Sequence, residues 1–448
     1  MQPNFGMKNV FAIVLALVIF QSFAVIRVYA QNPAYLDQIK RKARFSNPPV
    51  FDTSLNYFLL FNGKQINYLY PLYQAYGKES KFKTIFKPEG YYRNLSQLLG
   101  FAGDYKASTE ALETSYEKLD DESEKDITST IASLSNIEFL NAKEFVMQAA
   151  FERRIVMINE AHDKPQHRAF TISLLQGLYD QGFRYLAMDM LNNYANHNLK
   201  SVDANTGHYC MEPVGGELAR RALQIGFKLV SYDDIEPGKH SASESDSIQA
   251  VNINSILLQD PSAKILVHAG YAHIAKKANA QYTPMAIWLK KISGIDPLSI
   301  DQTNLTEQST FNYGARFYEA VIKKYSITKP SIALINRRPI NISGSDLYDL
   351  AVIHPPTKYS HGRPTWLDFD GIRQETRINP TEKDLFFLQA YYVNEYNEVV
   401  VGKIVPADQT YIPADDGYYS LYLQKGKYIL VYRDVEYNII ATREWDVK

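Results

Sequence analysis

Cysteine is almost missing from the 448 residues. The single Cys210 can form no intramolecular disulfide, and it excludes multi-cysteine zinc sites and cysteine-ligated iron–sulfur clusters. Excess charge of either sign is missing too. Lys+Arg 48 against Asp+Glu 49 leaves a net charge of −1, so nothing argues for nucleic acid or a polybasic membrane surface as partner. No Gly-x-Ser-x-Gly elbow and no phosphate-binding glycine loop stand out, and Gly215-Gly216 is too short to count as one. A serine hydrolase of the α/β-hydrolase type and nucleotide chemistry are both disfavoured. With 46% hydrophobic and 22% charged residues the chain is ordinary globular material, long enough for roughly two to four domains. The unusual presence is tyrosine, 33 residues against 3 tryptophans, which suits strands, wet cores and binding surfaces alike.

Long apolar runs are confined to the start. Lys8 precedes an apolar stretch over residues 10–26, followed by Val28-Tyr29-Ala30, with small residues where a signal peptidase reads. The pattern predicts a cleaved signal peptide over residues 1–30, with an uncleaved anchor as the other reading. The expected protein is exported, periplasmic or secreted, with no stable membrane span after cleavage.

Residues 31–149 read as mainly helical, with apolar residues at helical spacing in 94–103 and 107–119. Residues 120–126 are acidic and read as a solvated turn or a helix start. From 150 to 337 short apolar runs alternate with amphipathic segments. Strands are expected at 154–159, 184–188, 227–232 and 264–269, with further candidates at 331–335 and 350–353. Helices are expected after Asp163, a plausible N-cap, with Pro165 in the first turn and Gly182 at the end, then at 216–226 and 247–258. This alternation predicts an α/β fold: a mainly parallel sheet with helices on both faces. Residues 338–384, rich in Pro, Gly and Arg, read as a connecting segment. Residues 385–448 read as a small β module, with a hairpin joining 418–423 to 428–433 across residues 424–427.

Each of the four strands ends in ionisable residues: Glu160 and His162, then Asp189, then Asp233, then His268, Tyr271 and His273. Open parallel sheets bind ligands beyond the carboxyl ends of their strands, so these residues can converge. Glu160 and His162 are two apart and point the same way on an extended segment. Gly270 would permit a close turn that swings His273 over the sheet. A carboxylate beside an imidazole can fix its tautomer and make a general base. Two imidazoles with carboxylates can instead hold a divalent metal. Asp163 reads as a cap. His167, inside the first helix and turned from His162, reads as exposed or as a secondary candidate. His354 and His361 read as structural, and Cys210 as a small buried or loop thiol.

Ile158-Asn159-Glu160-Ala161-His162-Asp163-Lys164-Pro165-Gln166-His167-Arg168, followed by a helix and Tyr185-Leu186-Ala187-Met188-Asp189-Met190-Leu191, resembles the opening of ChaN-like haem-binding uptake proteins. Residues 245–253 look like that family's acidic residue before a helix, and Leu266-Val267-His268-Ala269-Gly270-Tyr271-Ala272-His273 resembles its Gly-x-x-His motif. The motif pair links ChaN-like proteins to the Tiki metalloproteases and the erythromycin esterases. The likeness covers about residues 150–330, with Asn159 in place of the usual Gly and Asp189 in place of the usual Glu.

The resemblance implies Glu160 and His162 as the central pair, Asp189 as supporting carboxylate and His273 as distal imidazole, with Asp233 and Asp246 at weaker acidic positions. The first expectation is an exported hydrolase using the Glu–His pair on a small-molecule or peptide substrate. In a metal-assisted version of this expectation, a divalent metal (Zn, Mn or Co) is held by His162, His273 and Glu160. The second is a haem- or metal-binding protein without catalysis, with Tyr271 and His268 near the site as axial ligands. The third is a cell-envelope interaction protein that kept the fold and lost the chemistry. Fold alone does not choose among them.

Overall fold

The computed structural model describes residues 61–62, 65–192, 199, 201–309, 312–398, 402–414 and 417–448. The expected signal peptide lies outside these residues. Among the described residues no helix is long and apolar enough to cross a membrane.

The main sheet has nine strands: β1 (Glu138–Asn141), β2 (Ile155–Glu160), β3 (Tyr185–Met188), β4 (Lys228–Ser231), β5 (Ile265–Gly270), β6 (Leu298–Asp301), β7 (Ser331–Ile335), β8 (Arg338–Pro339) and β9 (Leu350–Ile353). Their order across the sheet is β8-β7-β9-β6-β2-β5-β3-β4, with β1 paired to β7. The pairs from β9 through β4 are parallel, and the β7 pairings with β1, β8 and β9 are antiparallel. β2 and β5 are buried along their whole length, because each has a neighbour on either side and helices on both faces.

Alternation within the strands sorts the core into two layers. Val156, Ile158, Leu186, Met188 and Leu266 face one cluster, shared with α6 (Pro165–Asp180) and α7 (Pro213–Ile225). Ile155, Met157, Ala187, Ile265 and Val267 face the other, with α8 (Ala242–Gln259) and α9 (Met285–Ser293). The expected α/β sheet with helices on both faces is therefore present. It draws in residues on both sides of 150–337, since β1 precedes that range and β8 and β9 lie within 338–384.

Ahead of the sheet come α1 (Tyr70–Gly77), α2 (Glu79–Phe101), α3 (Tyr105–Thr114) and α4 (Asp121–Ser133); α5 (Ala142–Ala150) joins β1 to β2, and α10 (Asn312–Lys324) follows β6. Asp120 accepts from the Ser123 amide at 2.7 Å and caps α4, so the acidic run is a helix start. The helix after β2 begins differently from the expectation. Lys164, not Asp163, is its N-cap residue, and no side chain caps it.

The C-terminal part contains β10 (Gln374–Ile378), β11 (Phe387–Tyr392), β12 (Asp408–Thr410), β13 (Tyr419–Leu423), β14 (Gly426–Arg433) and β15 (Ile439–Val447). The hairpin expected across residues 424–427 is corrected here. β13 pairs with β10, while β14 pairs with β11 and β15. Both strands carry inward apolar residues, and the chain between them passes from one sheet to the other at Gly426, which has φ +150°. Leu421, Leu423, Tyr428 and Leu430 then share one buried cluster between the sheets. The β part is locked to the helical front. Gln409 donates to the Phe101 carbonyl at 2.6 Å, Tyr411 to Asp104 at 2.6 Å and Arg363 to the Gly103 carbonyl at 2.6 Å. A Cβ at Gly103 would lie 2.2 Å from the Gln409 carbonyl oxygen, so only glycine permits that approach.

Candidate active site

β2 ends in the buried carboxylate of Glu160, and His162 follows two residues on. The His162 Nδ1 lies 3.0 Å from Glu160 Oε1. Behind them Arg168, in the first turns of α6, grips both Glu160 oxygens, Nε to Oε2 and Nη2 to Oε1, each at 2.7 Å. Its Nη2 also donates to the His162 carbonyl at 3.1 Å. Its Nη1 reaches Glu212 at 3.1 Å. Glu212 is the N-cap residue of α7, where it accepts from the Val214 and Gly215 amides and from the Tyr105 hydroxyl. Arg168 and Glu160 have no solvent exposure. Burial alone would push the Glu160 pKa up, but Arg168, with His162 and His268, holds it well below the usual carboxylate range.

The His162 ring is clamped on three sides. It stacks on Tyr209 (centroids 4.3 Å apart, 15° between planes) and meets Tyr271 edge-on at 5.0 Å. The third side is Gly270, the last residue of β5. A Cβ there would lie 2.8 Å from the His162 Cε1 and 2.9 Å from its Nε2. Gly270 itself has φ −73° and ψ 141°, an ordinary extended conformation. Its glycine therefore makes room for His162 and is not needed for a sharp turn, which corrects the expectation. The left-handed residue is the next one, Tyr271, at φ +41°. Its hydroxyl accepts from the His162 amide at 3.3 Å. The His162 Nε2 makes no hydrogen bond to the described residues, and the side chain is 22% exposed.

Asp189, beyond β3, stands on the same side. Its Oδ2 accepts from the Gly270 amide at 2.6 Å, and its buried Oδ1 has no hydrogen-bond partner. Burial pushes the Asp189 carboxyl up to about 6; His162 and His273 pull against this, and the Glu160 charge adds to it. A carboxyl whose pKa is raised on folding favours the fold while it is protonated. That contribution is lost as pH rises from the ordinary aspartate value through about 6. The stability advantage of the native protein over Asp189→Asn should therefore shrink between about pH 4 and pH 6. Urea midpoints of both proteins across that range measure it, and a constant difference would refute the assignment.

His273, on the short helical turn Tyr271–Ile274, is held from the other side. Its Nδ1 lies 2.6 Å from the buried Asp246 of α8, which also accepts from the Tyr282 hydroxyl and the Met285 amide, each at 2.7 Å. Burial works against the charged ring, but Asp246, with Asp189 and Asp233 farther out, keeps the His273 pKa above the ordinary imidazole value. Asp233 accepts from Gln249 at 2.7 Å and acts on the site through its charge.

The secondary candidates divide. His268 is fully buried with both ring nitrogens unpartnered, 3.7 Å from Glu160, and burial pushes its pKa down to about 4. His167, read as exposed, has no exposure at all. Its Nδ1 accepts from the Ala161 amide at 3.0 Å and so shapes the loop that carries His162. Asn159, in the place of the usual Gly, donates to Asp301 and to the Tyr271 carbonyl at 2.8 Å each, tying β2 to the turn that bears His273.

The residues do not fit a divalent metal. Both oxygens of Glu160, one of the expected ligands, are held by Arg168. Among the described residues, no three His, Cys, Asp or Glu side chains are arranged to hold a metal ion. They do not fit haem either, since His268 is sealed inside the sheet and the Tyr271 hydroxyl is engaged by the His162 amide. Arg168, Glu212 and Tyr209 were given no role from sequence. The available signal was Arg168 itself, a charge in a helical stretch whose neighbours Phe170, Ile172, Leu174 and Leu175 are all apolar.

No protein-family model matches the chain, and no curated protein matches it.

Proposed function

We propose that the protein is an exported hydrolase in which His162 is the general base. The supporting observation is the 3.0 Å contact between His162 Nδ1 and a Glu160 carboxylate that Arg168 keeps ionised and fixed in place. In the neutral ring this contact puts the proton on Nδ1 and leaves the Nε2 lone pair to take a proton from water. The hydroxide so formed attacks an acyl carbon of an ester or amide, and the bond to the leaving group breaks. His273, whose pKa Asp246 raises, returns a proton to that group. The Asp189 carboxyl, with its unpartnered oxygen, offers a hydrogen bond to the bound substrate. Export goes with the signal-like start of the sequence.

The test is a panel of p-nitrophenyl esters and peptide substrates offered to the native protein and to His162→Ala. The variant should lose about 10²–10⁴-fold in kcat/KM on any substrate that turns over. Equal turnover by the two proteins would reject the proposal.

A further inference from the structure

A cavity of about 260 Å³ lies away from this site, between α6, the residues following β9 and residues 365–370. None of Glu160, His162, Asp189 and His273 lines it. Its size is a little below the usual range of ligand pockets, ~300 to 1,000 Å³, and so suits only a small molecule. Phe170 and Trp366 give it aromatic walls.

His354 also lines it, 1% exposed, with Nδ1 unpartnered. Its tautomer is fixed from behind. Gln302 spends its Nε2 on the Asn159 and His167 carbonyls, at 2.6 and 3.2 Å, so its Oε1 faces the His354 Nε2 at 3.1 Å as an acceptor. His354 therefore carries its proton on Nε2 and leaves the buried Nδ1 with a bare lone pair. Burial pushes its pKa down to about 3, so the ring stays neutral. A buried acceptor without a donor is costly, and a ligand donor would satisfy it.

The rim carries charge. Lys143 is paired with Asp370 at 2.6 Å, but Lys329 and Lys358 have no ion-pair partner among the described residues. Asp368, also in the lining, is a second acceptor for hydroxyl groups.

We propose that this cavity is a second ligand site, independent of the hydrolase reading, which takes a small ring-bearing carboxylate that also carries a hydroxyl donor. The ring packs on Phe170 and Trp366, the carboxylate meets Lys329 and Lys358, and the hydroxyl donates to His354. An acidic monosaccharide and a hydroxylated aromatic acid share this chemistry, and D-glucuronate and 4-hydroxybenzoate represent them.

Calorimetry on the full chain, with tryptophan fluorescence in parallel, tests the proposal. At least one acid should bind saturably, about tenfold or more tighter than its neutral counterpart (glucose or 4-hydroxybenzyl alcohol), and change the fluorescence. The exposed double variant Lys329→Glu/Lys358→Glu should fold normally and lose about tenfold or more in affinity, and His354→Phe should lose binding as well. The proposal is overturned if neither acid saturates by about 10 mM, or if the lysine variant binds as tightly as the native protein.

Discussion

Arg168→Met should destabilise the protein by about 3–5 kcal/mol, the largest loss expected from any single change at the site. Arg168 is wholly buried and bonds Glu160 through two nitrogens and Glu212 through a third. Methionine fills much of its volume but leaves two carboxylates in the interior with no cation. Glu212 keeps its two amides and the Tyr105 hydroxyl, whereas Glu160 keeps the His162 contact and the more distant His268 ring. The carboxylates will take up protons to escape the cost, so the loss should be smaller at pH 5 than at pH 8. Urea unfolding at both pH values measures it. The triple variant Arg168→Met/Glu160→Gln/Glu212→Gln should recover part of the loss, because no uncompensated charge remains. If Arg168→Met unfolds with the native midpoint at pH 8, the guanidinium does not bridge the two acids.

Gly270→Ala should leave the fold intact and cost about 10²-fold in turnover. The backbone at Gly270 accepts alanine without strain, because its φ is −73°. The new methyl would sit 2.8 Å from the His162 Cε1, and Tyr209 already covers one face of the ring. The ring must therefore tilt, and its Nδ1 leaves the Glu160 oxygen. A native melting temperature with turnover reduced through kcat is the expected pair of results. Full activity in Gly270→Ala would mean that the observed ring position is not the working one.

Much of this arrangement was legible in the chain. Four strands of the parallel part could be located because each carries a short apolar run that leads into ionisable residues, although only β2 and β5 are buried along their whole length. Glu160 and His162 were readable as a pair from their spacing of two. The features that escaped depend on residues far apart. Arg168 is explained by Glu212, 44 residues away, and the need for glycine at 270 is explained by His162. His167 looked like a surface residue on helical spacing, but the start of α6 is packed on every side, so its ring is buried. The hairpin expectation failed for a related reason. Two apolar strands beside a short glycine-containing connection can pair or can separate into facing sheets, and β10 and β11, which receive them, lie some 25 or more residues upstream.

The clasp between Gln409, Tyr411 and Arg363 and the end of α2 bears on how the molecule can be dissected. Cutting away the last strands would strip the Phe101 carbonyl of Gln409, the Asp104 carboxylate of Tyr411 and the buried Arg363 guanidinium of its Asp408 partner, and would uncover apolar side chains of the helical front. A truncated protein that fails in the cell would then report a damaged scaffold, and would say nothing about a lost docking surface. Roles for the C-terminal strands are better sought by point changes at the start of β15, where Ile439 and Ile440 are exposed and bear no part of the clasp.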